Sequence, residues 1–464
     1  MPARPFLRLD RMNTPTILSR ANAAPPLPGM LSRQLATAIR AYGRRAPLLR
    51  TEHTLRALKA TDQRLDMLMA ACRYYGGTAA QDEAAASHAQ ALPTDRAGAV
   101  LVRIALSEAH EADAAQRLAL IAQLLQEQPV AVRDGLWFHA ADDTCGLLLS
   151  SSDDRLLALG VELAGLLALP IHLDAVHAAA KRGADTEACL LACARMGQLP
   201  DQAAPRLAAV LQGYDLALQR RALEVLCAAG GGLLQRELAR YIERLTANDG
   251  PTEASHPGLW ASAADTAMAL WTARQPEQAL AAVTQGLRLP PDTVLRAVAL
   301  AGRLPALLPI LRFIEQQDRP VTPAERDLLR LVFGKVPGEL THTHGQAPAR
   351  IAALRALACE VFCANGCQGL EPGHISDWTD PALKERLWAL DGIRLRAGQP
   401  LHTLLPLEEA FDVGHSLRRW LYVEHAANTG RPFPLSHEDH AQRQMTTVET
   451  IQLISSLEDK EAAS

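Results

Sequence analysis

Three thiols four residues apart, Cys359, Cys363 and Cys367 in "CEVFCANGC", are the side chains of this 464-residue sequence best placed by type for chemistry. On a continuous helix such positions share one face and drift only about 40° per step. His342 and His344 of "THTHG" lie upstream, so thiolates and imidazoles of the kind that bind Zn²⁺ are at hand. The spacing argues against a site. Tetrahedral centres usually join a C-x2–4-C pair to a second pair across a loop, and three consecutive positions on a straight helix converge poorly on one ion. Gly366 offers a helix end and some convergence, but free cysteine is usually buried as a small apolar residue. The segment therefore reads as structural, with no metal and no cofactor. Cys189 and Cys193 repeat the spacing and read the same way.

Two histidine groups are the next candidates: His374 with Asp377 in "GHISDW", and His415 with Arg418 and Arg419 in "GHSLRRW". Neither has a nucleophile in a recognisable context, and "AAGGGLLQ" lacks the lysine and hydroxyl that complete a phosphate-binding loop. No catalytic residue is assigned. What remains is recognition. The six tryptophans, Trp137, Trp260, Trp271, Trp378, Trp388 and Trp420, are the large aromatic anchors available, and most are expected to fill gaps between helices. Trp420 follows two arginines, a pairing common at binding hot spots, so Arg418, Arg419 and Trp420 form the candidate partner-binding set, with Trp420 expected exposed.

The elements that must carry these residues are helices. The chain is 48% hydrophobic but only 4% aromatic, and Leu and Ala supply most of the apolar content, which suits closely packed helices better than sheets. In "RAVALAGRLPALLPIL", residues 296–311, Gly302 ends one apolar helix and Pro305 opens another. Gly197 and Pro200 repeat this punctuation, while Pro170 and Pro276 also separate apolar runs. Pro170 to Pro200 spans 30 residues and Pro276 to Pro305 spans 29. One helix, a tight turn and a second helix in about 30 residues is solenoid spacing, because stacked pairs bury faces that one hairpin would leave wet. The expectation is an all-α, HEAT-like α-solenoid of stacked antiparallel helix pairs. Its parts are an N-terminal helical cap (28–90), repeats (91–335) and a modified C-terminal helical segment (349–455).

A formal charge of -4 gives no global positive field, which makes nucleic acid an improbable partner. The local basic run "RAYGRRAPLLR" at 40–50 reads as a solvated helix end. No apolar run approaches the roughly 20 residues that cross a membrane, so no membrane insertion is expected. The first 20 residues lack a signal-peptide core, and eight cysteines in so long a chain do not make a disulfide scaffold; the expected location is cytoplasmic.

"TEHTLRALKATDQRLDMLMAACRYYG" (51–76) resembles the N-terminal signature of an uncharacterised bacterial HEAT-like repeat family, with Asp62, Gln63, Arg64 and Leu65 at its Asp-Glu/Gln-Arg motif. Residues 296–311 resemble its central repeat, 325–340 its aromatic-bearing helix and 437–453 its closing helix. The chain departs from that pattern at Gly334-Lys335-Val336-Pro337-Gly338, where the family has Thr-Gly. The resemblance implies a gene neighbourhood of type VI secretion components. It also implies a non-catalytic adaptor or chaperone-like role whose partner is a secretion effector or spike component. An enzyme or metal-binding protein with its site in the C-terminal segment, and a HEAT-like nucleic-acid scaffold, are the alternative readings.

Overall fold

The computed structural model describes residues 29–50, 53–107, 113–139, 142–230, 234–247, 256–341, 347–375, 377–388, 393–401, 408–433, 436 and 438–463. It is an all-α, solenoid-like fold. Two long helices open it, α1 (Met30–Arg50) and α2 (Leu55–Gln90), folded against each other and against α3 (Arg96–Ser107). Short helices then alternate: α4 (Ala114–Glu127), α5 (Pro129–His139), α6 (Asp142–Leu149), α7 (Asp154–Leu166), α8 (Leu173–Lys181), α9 (Thr186–Arg195) and α10 (Ala203–Gln212). The alternation continues through α11 (Leu216–Ala229), α12 (Gln235–Thr246), α13 (Pro257–Arg274), α14 (Pro276–Thr284), α15 (Pro291–Ala301), α16 (Leu304–Gln316) and α17 (Pro323–Phe333).

The odd-numbered helices from α3 to α17 form one layer, each packed on the next, and the even-numbered helices pack between and behind them. The sequence sets the repeat through its caps. Asp153, Asp185 and Asp215 recur at intervals of 32 and 30 residues, and each carboxylate accepts from backbone N–H groups in the first turn of α7, α9 or α11. Such a cap satisfies donors that the helix itself leaves unpaired. A second periodic device links neighbouring pairs. The Arg182 guanidinium donates to the carbonyls of Leu149 and Ser151, and Arg244 donates to those of Leu211 and Gln212, in each case 31–33 residues back at the end of the preceding even helix. The prolines of the sequence repeat mark the starts of even helices: Pro276 opens α14, Pro305 lies in the first turn of α16, and Pro200 accepts from Ala203 N at the start of α10.

Beyond α17 come α18 (Gly338–Thr341), α19 (Ala347–Ala364) and α20 (Pro381–Trp388). A two-stranded antiparallel hairpin follows, β1 (Leu395–Arg396) and β2 (Gln399–Pro400), and then α21 (His415–Thr429) and α22 (Ala441–Ala463). This last part does not extend the stack. It turns back over the odd-helix layer: α21 packs on α11, α13 and α15, β1 on α17, and α22 reaches α2. Sandwiched in this way, α13 buries residues on all sides, from Trp260 through Ala267 to Ala273, as an all-round apolar helix must. The hydrophobic interior reflects the return. Leu35, Leu65, Met69 and the α3–α9 residues make one cluster, while Leu55 and Leu58 of α2 join the cluster holding α11–α17 and α21. Among the described residues no helix is long and apolar enough to cross a membrane.

Candidate functional site

The hairpin shows how the returning segment is held. Helices leave their last carbonyls without intrahelical donors, and the hairpin supplies them. Leu395 N donates to Gly302 O (2.8 Å), Ala397 N to Leu331 O (2.7 Å) and Gly398 N to Val332 O (2.7 Å). The Arg394 guanidinium donates to Leu300 O and Ala301 O. Gly302 has a left-handed φ of +61°, and a Cβ there would lie 2.4 Å from Leu395 O, so this turn glycine both ends α15 and admits the strand.

Charge fixes the rest. Glu424, the sole acid of α21, is fully buried and accepts from Arg394 Nη2 (2.8 Å) and Arg396 Nη2 (3.0 Å). Asp265, the sole acid of α13, is a second hub: it accepts from Thr293 Oγ1, from Arg296 and, at 3.1 Å, from Trp420 Nε1. Both C-terminal helices begin on carboxylates from distant helices. Asp327 of α17 accepts from Gly414 N (2.8 Å), and Asp62 of α2 accepts from Ala441 N (2.8 Å). A negative group suits a helix N-terminus because of the macrodipole and its unpaired N–H groups.

The same region ties α1, α2 and α5 to the residues around the start of α22. The Arg45 guanidinium on α1 donates to Asp62 Oδ1 (2.9 Å) and to the carbonyls of Glu438 and Asp439. His440 Nε2 lies 3.0 Å from Asp66 Oδ2, and Arg443 donates to Trp137 O at the end of α5. Burial alone would lower the His440 pKa, but the Asp66 hydrogen bond and the charges of Asp62 and Asp66 outweigh it and hold it above the usual imidazole range. Two other histidines go the opposite way. Burial, aided by Arg73, pushes His139 down to about 3, and burial with Arg418 and Arg419 pushes His415 down to about 3.

Against this geometry the expected partner-binding set needs correction. Trp420 and Arg418 are fully buried, not exposed. The cause is that α21 lies inside the molecule, where Trp420 binds Asp265 and Arg419 Nη2 donates to Thr266 Oγ1 (2.6 Å). Of the six tryptophans, Trp388 at the end of α20 is the exposed one, at 59%; Trp137, Trp260, Trp271 and Trp378 are buried.

The thiols are engaged in packing. Cys359 and Cys367 are buried, and burial raises both thiol pKa values, Cys359 up to about 11. Cys363 Sγ donates to the carbonyls of Cys367 (3.3 Å) and Leu370 (3.2 Å). His342 and His344 lie outside the described residues, as do the first 20 residues and Gly231 and Gly232 of "AAGGGLLQ", while Gly230 caps the end of α11 in a left-handed conformation. Among the described residues no cluster of three His, Cys, Asp or Glu side chains suits a metal ion. His374 and Asp377 are not brought together. His374 lies 3.8 Å from Glu371, while Asp377 accepts from Thr379 N (2.9 Å) and Oγ1 (2.5 Å).

Sequence reasoning missed Asp265 and Glu424. The available signal was their isolation: each is the single acid in a largely apolar helix, and a lone buried charge demands partners. Nothing local signalled that those partners would lie up to 155 residues away.

The fold and these contacts define a class: an all-α helical-repeat protein whose C-terminal segment is folded back across its own inner layer. Comparison with protein-family models, with curated proteins and with solved structures finds no match to this chain.

Proposed function

We propose that this chain is a non-catalytic protein-binding adaptor or chaperone-like accessory protein of the cytoplasm, serving a type VI secretion effector or spike component. The observation that carries the adaptor part is the stack of helix pairs from α3 to α17, which offers a long helical surface. The cysteines singled out for chemistry are engaged in packing, which supports the non-catalytic part of the reading. The secretion context is supported by the resemblance of residues 51–76, 296–311, 325–340 and 437–453 alone. The partner docks away from the inner face of α11–α17, which the chain's own hairpin and α21 cover. A stable complex of this kind buries about 1,200 Å² or more in total.

The test is deletion of the gene, with release of a general secretion-tube component and of each effector measured separately, alongside affinity purification from native cells. Loss of one effector supports a cargo adaptor; loss of all release supports an assembly role. Normal release of every substrate, with no secretion protein recovered, rejects the reading.

A further inference from the structure

Three arginines of α1 lie on one exposed face of the helix, two of them, Arg40 and Arg44, in the basic run at 40–50. Arg33, Arg40 and Arg44 are exposed and spaced i, i+7, i+11, which places them in one row about 40° wide and about 16 Å long on the helix surface. The opposite side of α1 is buried through Leu35, Ala38 and Tyr42 against α2 and α3. No acidic residue occurs anywhere in α1. None of the three guanidinium groups has a hydrogen-bond or ion-pair partner among the described residues. The molecule treats many of its other arginines differently: Arg45 on the same helix, and Arg133, Arg206, Arg221, Arg296 and Arg319 elsewhere, all pair with carboxylates. Beside the row lie two small exposed residues, Ala36 and Gly43, and a Cβ on Gly43 would meet nothing within 4 Å; Ser32, next to them, donates to Glu83 Oε1 of α2 (2.7 Å).

We infer that this face of α1 is a docking stripe for an acidic helix of a protein partner. The inference rests on the adaptor reading above and names its surface and the partner's chemistry. A helix carrying carboxylates at i, i+7 and i+11 repeats the same rise and the same row, so each guanidinium meets one carboxylate. Arginine suits this role because its planar fork binds a carboxylate through two parallel hydrogen bonds. The small residues alongside let the partner's backbone come close. Charge complementarity selects the partner's sign, and the rest of the face selects its class. The exposed sector carries no aromatic side chain on which a base could stack and no large apolar side chain to enter a bilayer. The chain's net charge of -4 also disfavours a polyanionic duplex.

The test uses the full chain and fluorescence anisotropy. The probes are a labelled 21-residue Ala-rich helical peptide bearing Glu at positions 5, 12 and 16, the same peptide with Gln there, and a 20-base-pair DNA duplex. The expected result is binding to the Glu peptide at least tenfold tighter than to the Gln peptide or the duplex, weakening as salt rises from 50 to 200 mM. Arg33→Glu/Arg40→Glu/Arg44→Glu should lower that affinity at least tenfold, and Arg33→Gln/Arg40→Gln/Arg44→Gln should lower it less. Arg236→Glu/Arg240→Glu, two exposed positions on α12, should leave it unchanged. Circular dichroism melts establish that each variant is folded, and the milder Gln set serves if charge reversal is not. Equal binding of the Glu and Gln peptides, tighter binding of the duplex, or binding unaffected by the α1 substitutions overturns the stripe. The deletion and purification experiment above is independent of α1, so the stripe can fail while the adaptor reading stands.

Discussion

The α7–α12 repeats and the C-terminal segment from β1 to α22 both contribute to the hydrophobic interior, yet they are stabilised in different ways. The repeats are locally specified: Asp153, Asp185 and Asp215 cap their own helices, and Arg182 and Arg244 reach back one repeat. The C-terminal segment is specified at a distance. Trp420 finds Asp265, Gly414 finds Asp327, Ala441 finds Asp62, and Arg45 finds Glu438 and Asp439, across separations of 87 to 394 residues. Each repeat contact is one of many similar ones, whereas each closure contact has no substitute. The damage done by a substitution should therefore depend on which kind of contact it removes.

Trp420→Ala should do the most harm. Removing a fully buried indole costs about 3–5 kcal/mol, and it also takes the Nε1 donor from Asp265. Urea unfolding should show that loss; a change under about 1 kcal/mol would mean that α21 is only loosely docked. Glu424→Ala should follow closely, at about 3 kcal/mol, because Arg396 is left buried without its carboxylate. The repeat side of the comparison is gentler. Asp185→Ala removes one N-cap and should cost about 1 kcal/mol, read in the same unfolding experiment. If the cap variant proved as costly as Glu424→Ala, the contrast between the regions would collapse.

The last comparison separates protonation states. His139 and His415 are held neutral, with folded pKa values of about 3, so the unfolded chain binds more protons wherever pH falls below the ordinary value of about 6.5. Their contribution to stability is present above that value and is lost as pH falls from about 6.5 towards 3. His440 has the opposite sign. Its raised pKa gives stability that is fully present below about 6.5 and lost as pH rises through its folded value. Melting temperatures should therefore fall for the wild type as pH is lowered from about 6.5 to about 5. The fall should be shallower for His415→Gln. In His440→Gln the loss of stability above pH 6.5 should be reduced.

Much of the stack was legible because its signals are local. Gly302 and Pro305, Gly197 and Pro200, and the 29- to 30-residue spacing report turn chemistry that each segment carries for itself, and the structure places those prolines at the starts of even helices. The inner position of α21 was not legible. "LRRWLYVE" has the composition of a surface anchor as much as that of a buried strut, and only the pairing of Trp420 with Asp265 and of Glu424 with Arg394 and Arg396 decides between them. A tryptophan beside arginines marks a place where a partner is needed. Here the partner is the chain's own α13. The same logic applied to α1 points outward at Arg33, Arg40 and Arg44, whose side chains meet no carboxylate among the described residues, unlike Arg45, which pairs with Asp62.

The central claim is that α21 and α13 belong to one cooperative core, so that the inner face of the repeats is covered by the chain itself. Hydrogen exchange measured by mass spectrometry on the intact protein tests it most directly, since units that open together exchange together. Peptides from α13 and α21 should exchange slowly and with matching rates, and Trp420→Ala should accelerate both, while α7 and α8 change little. Rapid exchange across α21 alongside full protection of α13 would contradict the account and leave the inner face open to a partner.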